Sequence, residues 1–135
     1  MNIVEYDEKK HYHHFLLWWD ERGLDFTPAS FLPKSGIVIE DDNGIPFVAG
    51  FLYLTNGGVA MINTLISDKS RKDRSLAIDV LIDTLITMAK SSGYKVISCA
   101  TNLEHLTDRY IRHGFQKFET GVTHMGKILT EERVS

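Results

Sequence analysis

The segment from Thr64 to Lys90 constrains the fold more than any other, because it joins a strand, a basic turn and a helix. The amphipathic helix opens on two small residues, Ser75 and Ala77. Backbone N–H groups at a helix start are unpaired, and the helix dipole adds partial positive charge there. Small side chains would let a phosphate approach those groups. The segment therefore predicts a site for a phosphorylated cofactor.

The turn before this helix is strongly basic in a chain whose formal net charge is −3. Its cations are Lys69, Arg71, Lys72 and Arg74. The acidic balance gives no global attraction to nucleic acid or to an anionic membrane, so we expect neither as a partner. The alternative is a solvated loop in which Ser70 or Asp73 caps the helix.

Length and composition predict one soluble globular domain over residues 1–135, since 43% of the residues are hydrophobic and no tract is biased. The single cysteine, Cys99, excludes an intramolecular disulfide and a cysteine-rich zinc site, and it fits a reducing compartment. The chain shows neither a leader pattern nor an apolar run of membrane-spanning length. We therefore expect a cytoplasmic protein.

Periodicity predicts an α/β domain with a mixed sheet and the element order β-α-loop-βββ-α-β-α-β-β. The predicted strands cover residues 2–6, 36–40, 46–55, 59–66, 95–100, 115–119 and 122–129. The predicted helical runs cover residues 7–22, 78–90 and 103–113, and they end at Gly23, Gly93 and Gly114. The segment 24–35 contains two prolines and is predicted to be a loop or a broken short helix that faces the substrate.

The first helix carries His11, His13 and His14, which could suggest a metal site. His11 and His14 share a helix face, but no carboxylate or cysteine completes a ligand set, so we expect a solvated face and no metal. Trp18 and Trp19 point in different directions, which predicts that one lies in the core and that the other lines a substrate cleft or a partner surface.

Two motifs in this order of elements resemble the GNAT N-acetyltransferase superfamily. The acetyl-CoA signature of that family is a basic residue or Gln, two residues, Gly, one residue, and Gly or Ala. Residues 72–77 (KDRSLA) align with it, with Ser75 at the first glycine position. A serine can donate its hydroxyl to a phosphate but allows a less close approach. A register that starts at Arg71 would place Arg74 and Leu76 at the small positions.

The second motif is Asn102 followed by Tyr110, Gly114 and Phe115, which resembles the end of the helix before the sixth strand of the family. The interval from Asn102 to Tyr110 is one residue longer than usual. Without the resemblance, Tyr110 would be a half-buried packing residue and Asn102 a helix cap.

The resemblance implies that acetyl-CoA binds between splayed fourth and fifth strands, where backbone groups near Thr64 hold the pantetheine arm and the thioester oxygen. An amine attacks directly, and Tyr110 protonates the leaving thiolate. The implied cofactor-binding residues are Leu65, Ile66, Arg71, Lys72, Arg74, Ser75, Leu76, Ala77 and Asn102. The fourth strand offers only Asn63 and Thr64 where relatives commonly have a carboxylate. The proton of the amine could therefore pass to water, to Glu40, to Asp68 or to a histidine.

The implied function is an N-acetyltransferase that moves acetyl from acetyl-CoA to a primary amine of a small molecule or a protein. The alternative is a GNAT-like module that binds CoA, or a protein partner, without catalysis. The compact chain resembles stand-alone bacterial or bacteriophage members of the superfamily. The last predicted hairpin is a possible homodimer contact.

Overall fold

A five-stranded mixed sheet lies at the centre of the structure, a computed structural model that describes residues 1–130. In spatial order its strands are β1 (Asn2–Glu5), β2 (Gly36–Glu40), β3 (Pro46–Leu54), β4 (Val59–Ser67) and β5 (Val96–Cys99). The helices are α1 (Glu8–Glu21), α2 (Arg74–Ser91) and α3 (Glu104–Arg112). The predicted fold class is confirmed: the first four strands are antiparallel, and α2 connects β4 to the parallel β5.

The two faces of the sheet are covered by different helices, because successive side chains of a strand point to opposite sides. One face packs on α1 through Phe15, Trp18 and Trp19. The other packs on α2 through a group of small and aliphatic side chains: Ala77, Leu81, Ile82, Leu85 and Ala89. The expectation that only one tryptophan is buried is wrong, since the wide apolar face of α1 accommodates both.

A bulge in β4 sets the geometry of the region that follows it. Thr64 pairs with Phe51 and Ile62 pairs with Leu52, so Asn63 has no partner on β3. An extra residue of this kind bends the strand that carries it and increases its local twist.

Beyond the bulge, β4 and β5 separate. Val59–Ile62 pairs with Val96–Cys99, and Ile62 opposite Cys99 is the last pair. β4 then continues to Ser67 with nothing from β5 alongside it. We call this point of divergence the fork; it is the splayed arrangement that the resemblance implied.

The predicted strands over residues 115–119 and 122–129 are wrong, because no strand is present among the described residues after β5. Apolar side chains in this segment are largely exposed, with Met125 at 83% and Leu129 at 86%. Local alternation predicted the strands, but a hairpin needs packing or a neighbouring strand to be stable. Residues 131–135 of the predicted domain lie outside the described residues.

The predicted helix ends after α2 and α3 are confirmed, since Gly93 has φ 86° and Gly114 has φ 93°. Both glycines adopt the left-handed conformation that commonly terminates a helix. No helix within residues 1–130 is both long and apolar enough to cross a membrane.

Candidate active site

The side chain of Tyr110 reaches the fork from α3. Its hydroxyl lies close to the thiol of Cys99, the last residue of β5 that pairs with β4. Tyr110 is 4% exposed, and its ring centroid lies 5.0 Å from that of Phe115. The ring is therefore a packing group, as the alternative interpretation held, while the hydroxyl lies at the point where the two strands diverge.

The environment of the fork keeps both of these groups protonated. Burial, followed by the neighbouring Cys99, raises the pKa of the Tyr110 hydroxyl well above its ordinary value. Burial raises the pKa of the Cys99 thiol to about 11, and the nearby hydroxyl of Tyr110 opposes this only in part. A thiol in this state is a poor nucleophile, whereas a protonated phenol can donate to a developing thiolate.

The start of α2 is not capped by the residue that precedes it. Asp73 is the N-cap residue, but its side chain makes no capping hydrogen bond. Arg71 holds that carboxylate instead, donating from Nε to Oδ1 at 3.0 Å and from Nη2 to Oδ2 at 2.9 Å. The alternative in which Asp73 caps the helix is wrong, and the first amides of α2 remain available to an anion.

The cations of the turn mainly order the turn itself. Arg71 also pairs with Asp41 at 3.0 Å and lies 4.2 Å from the centre of the Phe47 ring. Arg74 donates to the carbonyl oxygens of Lys69 and Arg71, both at 2.8 Å. Lys69 in turn donates to the carbonyl oxygen of Glu21 at 2.6 Å. The predicted basic cluster is present, with Lys72 exposed at its centre.

The last three residues of the signature, Ser75, Leu76 and Ala77, occupy three different environments. Ala77 is fully buried and lets α2 pack closely against the sheet. Leu76 is 65% exposed beside the start of the helix. The hydroxyl of Ser75 accepts a hydrogen bond at 3.0 Å from Nη2 of Arg109 on α3.

Alternation along β4 determines which backbone groups face the open side of the fork. The N–H of Asp68 donates to the carbonyl oxygen of Phe47 on β3 at 2.9 Å. Since main-chain groups of alternate residues point the same way, those of Thr64 and Ile66 face β3 and those of Leu65 face the gap. The main chain of Leu65 is thus the better placed to bind a ligand.

Asn102 is exposed in the loop between β5 and α3. Leu103 is the N-cap residue of α3, so the alternative in which Asn102 caps the helix is wrong. Because β4 and β5 are parallel, this loop lies at the same edge of the sheet as the turn before α2.

The candidate bases are held in different ways. Glu40 accepts from Nε2 of His11 and from Lys10, both at 2.9 Å, and Nδ1 of His11 accepts from the N–H of Asp7 at 2.9 Å. Burial alone raises the pKa of Glu40, but these hydrogen bonds outweigh it and lower that pKa, which makes the carboxylate a weak base. His14 differs: burial, then nearby histidines, lower its pKa, so its ring is neutral near pH 7.

The expectation that all three histidines lie on a solvated face is wrong for His11, which is buried against Glu40. An ion-paired carboxylate at the end of β2 stabilises the histidine there, which periodicity alone does not reveal. No group of three or more potential metal ligands occurs in the part of the chain that the structure describes.

Sequence reasoning missed the charged contacts that join α2 to α3. Arg109 donates to Asp79 at 2.9 Å, while His113 contacts Asp79 and Asp83, both at 2.8 Å. A signal was present, because two acidic residues four apart on α2 match two basic residues four apart on α3. Pairing these stripes required knowing that the helices are neighbours.

No protein-family model matches the chain, and no curated protein matches it. Several solved structures do match the chain. A probable acetyltransferase has a TM-score of 0.73 at 19% identity, covering 97% of this chain and 100% of that one. Glucosamine-6-phosphate N-acetyltransferase from Arabidopsis thaliana has a TM-score of 0.66 at 15% identity. This match covers 96% of this chain and 98% of that one.

A third match is the Mycobacterium tuberculosis protein Rv2747, solved in complex with CoA, with a TM-score of 0.71 at 16% identity. It covers 91% of this chain and 76% of its own. At identities this low, what the matches establish is a shared fold. The chain has the fold of the GNAT acetyltransferases, as the two sequence motifs predicted.

Proposed function

We propose that the protein is an N-acetyltransferase that moves acetyl from acetyl-CoA to a primary amine of a small molecule or a protein. The observation that carries this proposal is the fork, where β4 extends past β5 and the hydroxyl of Tyr110 lies beside the last strand pair. The acetyltransferases among the structural matches support the same reaction class.

The residues present fit an acyl-CoA in two respects. The amides that begin α2, around Ser75 and Leu76, are not capped by Asp73 and favour a diphosphate. The main chain of Leu65 faces the gap beside β4, where it suits an extended amide-containing arm. Lys72 and Asn102 lie exposed at the same edge of the sheet and complete the proposed contacts.

When bound, acetyl-CoA supplies the activated thioester, and the amine attacks it directly. The N–H of Leu65 is proposed to stabilise the oxyanion, since a donor that is already fixed in place interacts strongly with developing charge. Tyr110 then donates its proton to the leaving thiolate. The burial that raises the pKa of Tyr110 keeps this proton in place at neutral pH.

The test is CoA binding, measured by calorimetry and by thermal shift, in the wild type, Leu76→Glu and Leu76→Gln. A carboxylate in the first turn suits the helix dipole, so Leu76→Glu should fold as well as the neutral control. Its charge near the diphosphate should weaken CoA binding by about tenfold or more. Equal affinity of the two variants would contradict a diphosphate site there.

Catalysis is tested separately, by following thiol release from acetyl-CoA across a panel of amines. Release with at least one amine is the expected result. CoA binding without thiol release across the panel would instead identify a module that binds CoA without catalysis.

A further inference from the structure

Arg109 connects α3 to the first two turns of α2 by three hydrogen bonds. Its Nη1 donates to the carbonyl oxygen of Ser75 at 3.0 Å and to Asp79 at 2.9 Å, and its Nη2 donates to the hydroxyl of Ser75 at 3.0 Å. The side chain is only 14% exposed. A planar guanidinium that satisfies three acceptors fixes the rotation of α3 as well as its distance from α2.

The next residue on α3 is Tyr110, whose hydroxyl lies at the fork. Consecutive side chains on a helix are separated by about 100° of rotation, so a restraint on Arg109 also restrains the direction of Tyr110. The two side chains serve opposite ends of the proposed site. Arg109 contacts the helix start that is proposed to hold the diphosphate, and Tyr110 lies close to Cys99 at the strand ends.

The same arginine accounts for a serine at the glycine position of the signature. Because the hydroxyl of Ser75 accepts from Arg109, it is directed toward α3 and does not cap its own helix. His113 extends the contact by one turn, since it binds Asp79, which Arg109 also binds.

Building on the proposed function, we infer that Arg109 is a positioning residue that couples the diphosphate end of the acetyl-CoA site to Tyr110. Substitution of Arg109 should then affect both cofactor binding and proton donation, although its own contacts are with Ser75 and Asp79.

The first test uses Cys99 as a reporter, because it is the only cysteine in the chain. Its thiol is half-buried and lies close to Tyr110 on α3, so its reaction with a maleimide measures how often α3 moves away. Arg109→Gln should react about tenfold faster than the wild type, as expected when charge-assisted hydrogen bonds are lost. Ser75→Ala, a milder change, should shift the rate in the same direction.

The matched control is Arg112→Gln, which removes the same charge from an exposed position of the same helix. In this control, Cys99 should react with the maleimide at the same rate as in the wild type. This readout needs no cofactor, so it remains decisive if the acyltransferase proposal fails.

The second test separates positioning from simple destabilisation. Arg109→Gln should raise KM for acetyl-CoA through Ser75 and lower kcat through Tyr110. In a Tyr110→Phe background the same substitution should still raise KM but change kcat by less than about twofold, because residues that act through one group are not additive. Multiplicative losses of kcat would indicate a structural role only.

The two proposals fail in different ways. A wild type that does not bind CoA refutes the acyltransferase. If CoA binds normally and Arg109→Gln leaves the thiol rate unchanged, the positioning role is refuted and the acyltransferase proposal stands.

Discussion

Tyr110→Phe is the sharpest perturbation of the proposed mechanism, because it removes one oxygen and retains the ring. The ring still packs against Phe115, and the hydroxyl that is removed has the thiol of Cys99 as its polar neighbour. One neutral hydrogen bond contributes about 0.5–1.5 kcal/mol to stability, and a thiol acceptor puts the loss at the lower end of that range. The variant should therefore remain folded and bind CoA within about threefold of the wild type.

The effect on turnover should be far larger. A positioned general acid contributes roughly 10²–10⁴-fold, so kcat should fall by at least about a hundredfold, or about 3 kcal/mol in the activation barrier. The fall should be smaller with acyl donors whose leaving thiol is more acidic, because such a thiolate needs less assistance. This dependence on the leaving group is specific to proton donation.

The assay is thiol release from acetyl-CoA with an amine found by the panel, alongside calorimetry with CoA. Tyr94→Phe is the matched control, since its hydroxyl donates to the carbonyl oxygen of Thr55 at 2.7 Å, away from the fork. Both variants should lose similar stability, but Tyr94→Phe should retain full turnover. Equal turnover in Tyr110→Phe and the wild type would remove Tyr110 from the mechanism.

Two further predictions concern stability. Burial lowers the pKa of His113, but hydrogen bonds to Asp79 and Asp83 outweigh it and raise that pKa. The stabilisation is therefore present below the ordinary pKa, about 6.5, and is lost as pH rises through the raised one. In urea unfolding, His113→Gln should destabilise the protein at about pH 5.5 and have little effect at about pH 9; the opposite trend would contradict this. Leu81→Ala should cost about 2–5 kcal/mol, because Leu81 is fully buried in the α2 core. Met125→Ala, at an exposed position, is its control and should stay within about 0.5 kcal/mol.

The elements through α3 could be predicted from the sequence because their signals are local. The hairpin after β2 has Gly44 at φ 78°, and α1 begins after Asp7, whose side chain accepts from the N–H of Lys9. Residues 115–129 have the same alternation as a strand, but whether a strand forms depends on a neighbour that the local pattern does not specify.

The candidate site was predictable only where it follows a motif. The residues of the turn come from the signature and Tyr110 comes from the second motif, whereas the contacts that organise them join segments distant in the chain. Arg71 binding Asp41, and Arg109 binding Ser75, depend on how α2 lies against β2 and α3. Such contacts cannot be paired from the sequence alone, because the pairing requires knowing which elements are neighbours.

The bulge at Asn63 sets the regularity of the sheet against the opening of the fork. Ile62 and Thr64 already pair with consecutive residues of β3, so a ladder shorter by one residue would serve that pairing equally well. Asn63 adds no pair to the β3–β4 ladder, and its effect is to bend the rest of β4 away from β5. A deletion of Asn63 would thus be expected to yield a sturdier, flatter sheet that has lost its cleft, whereas a mere exchange of the side chain at that exposed position should be tolerated.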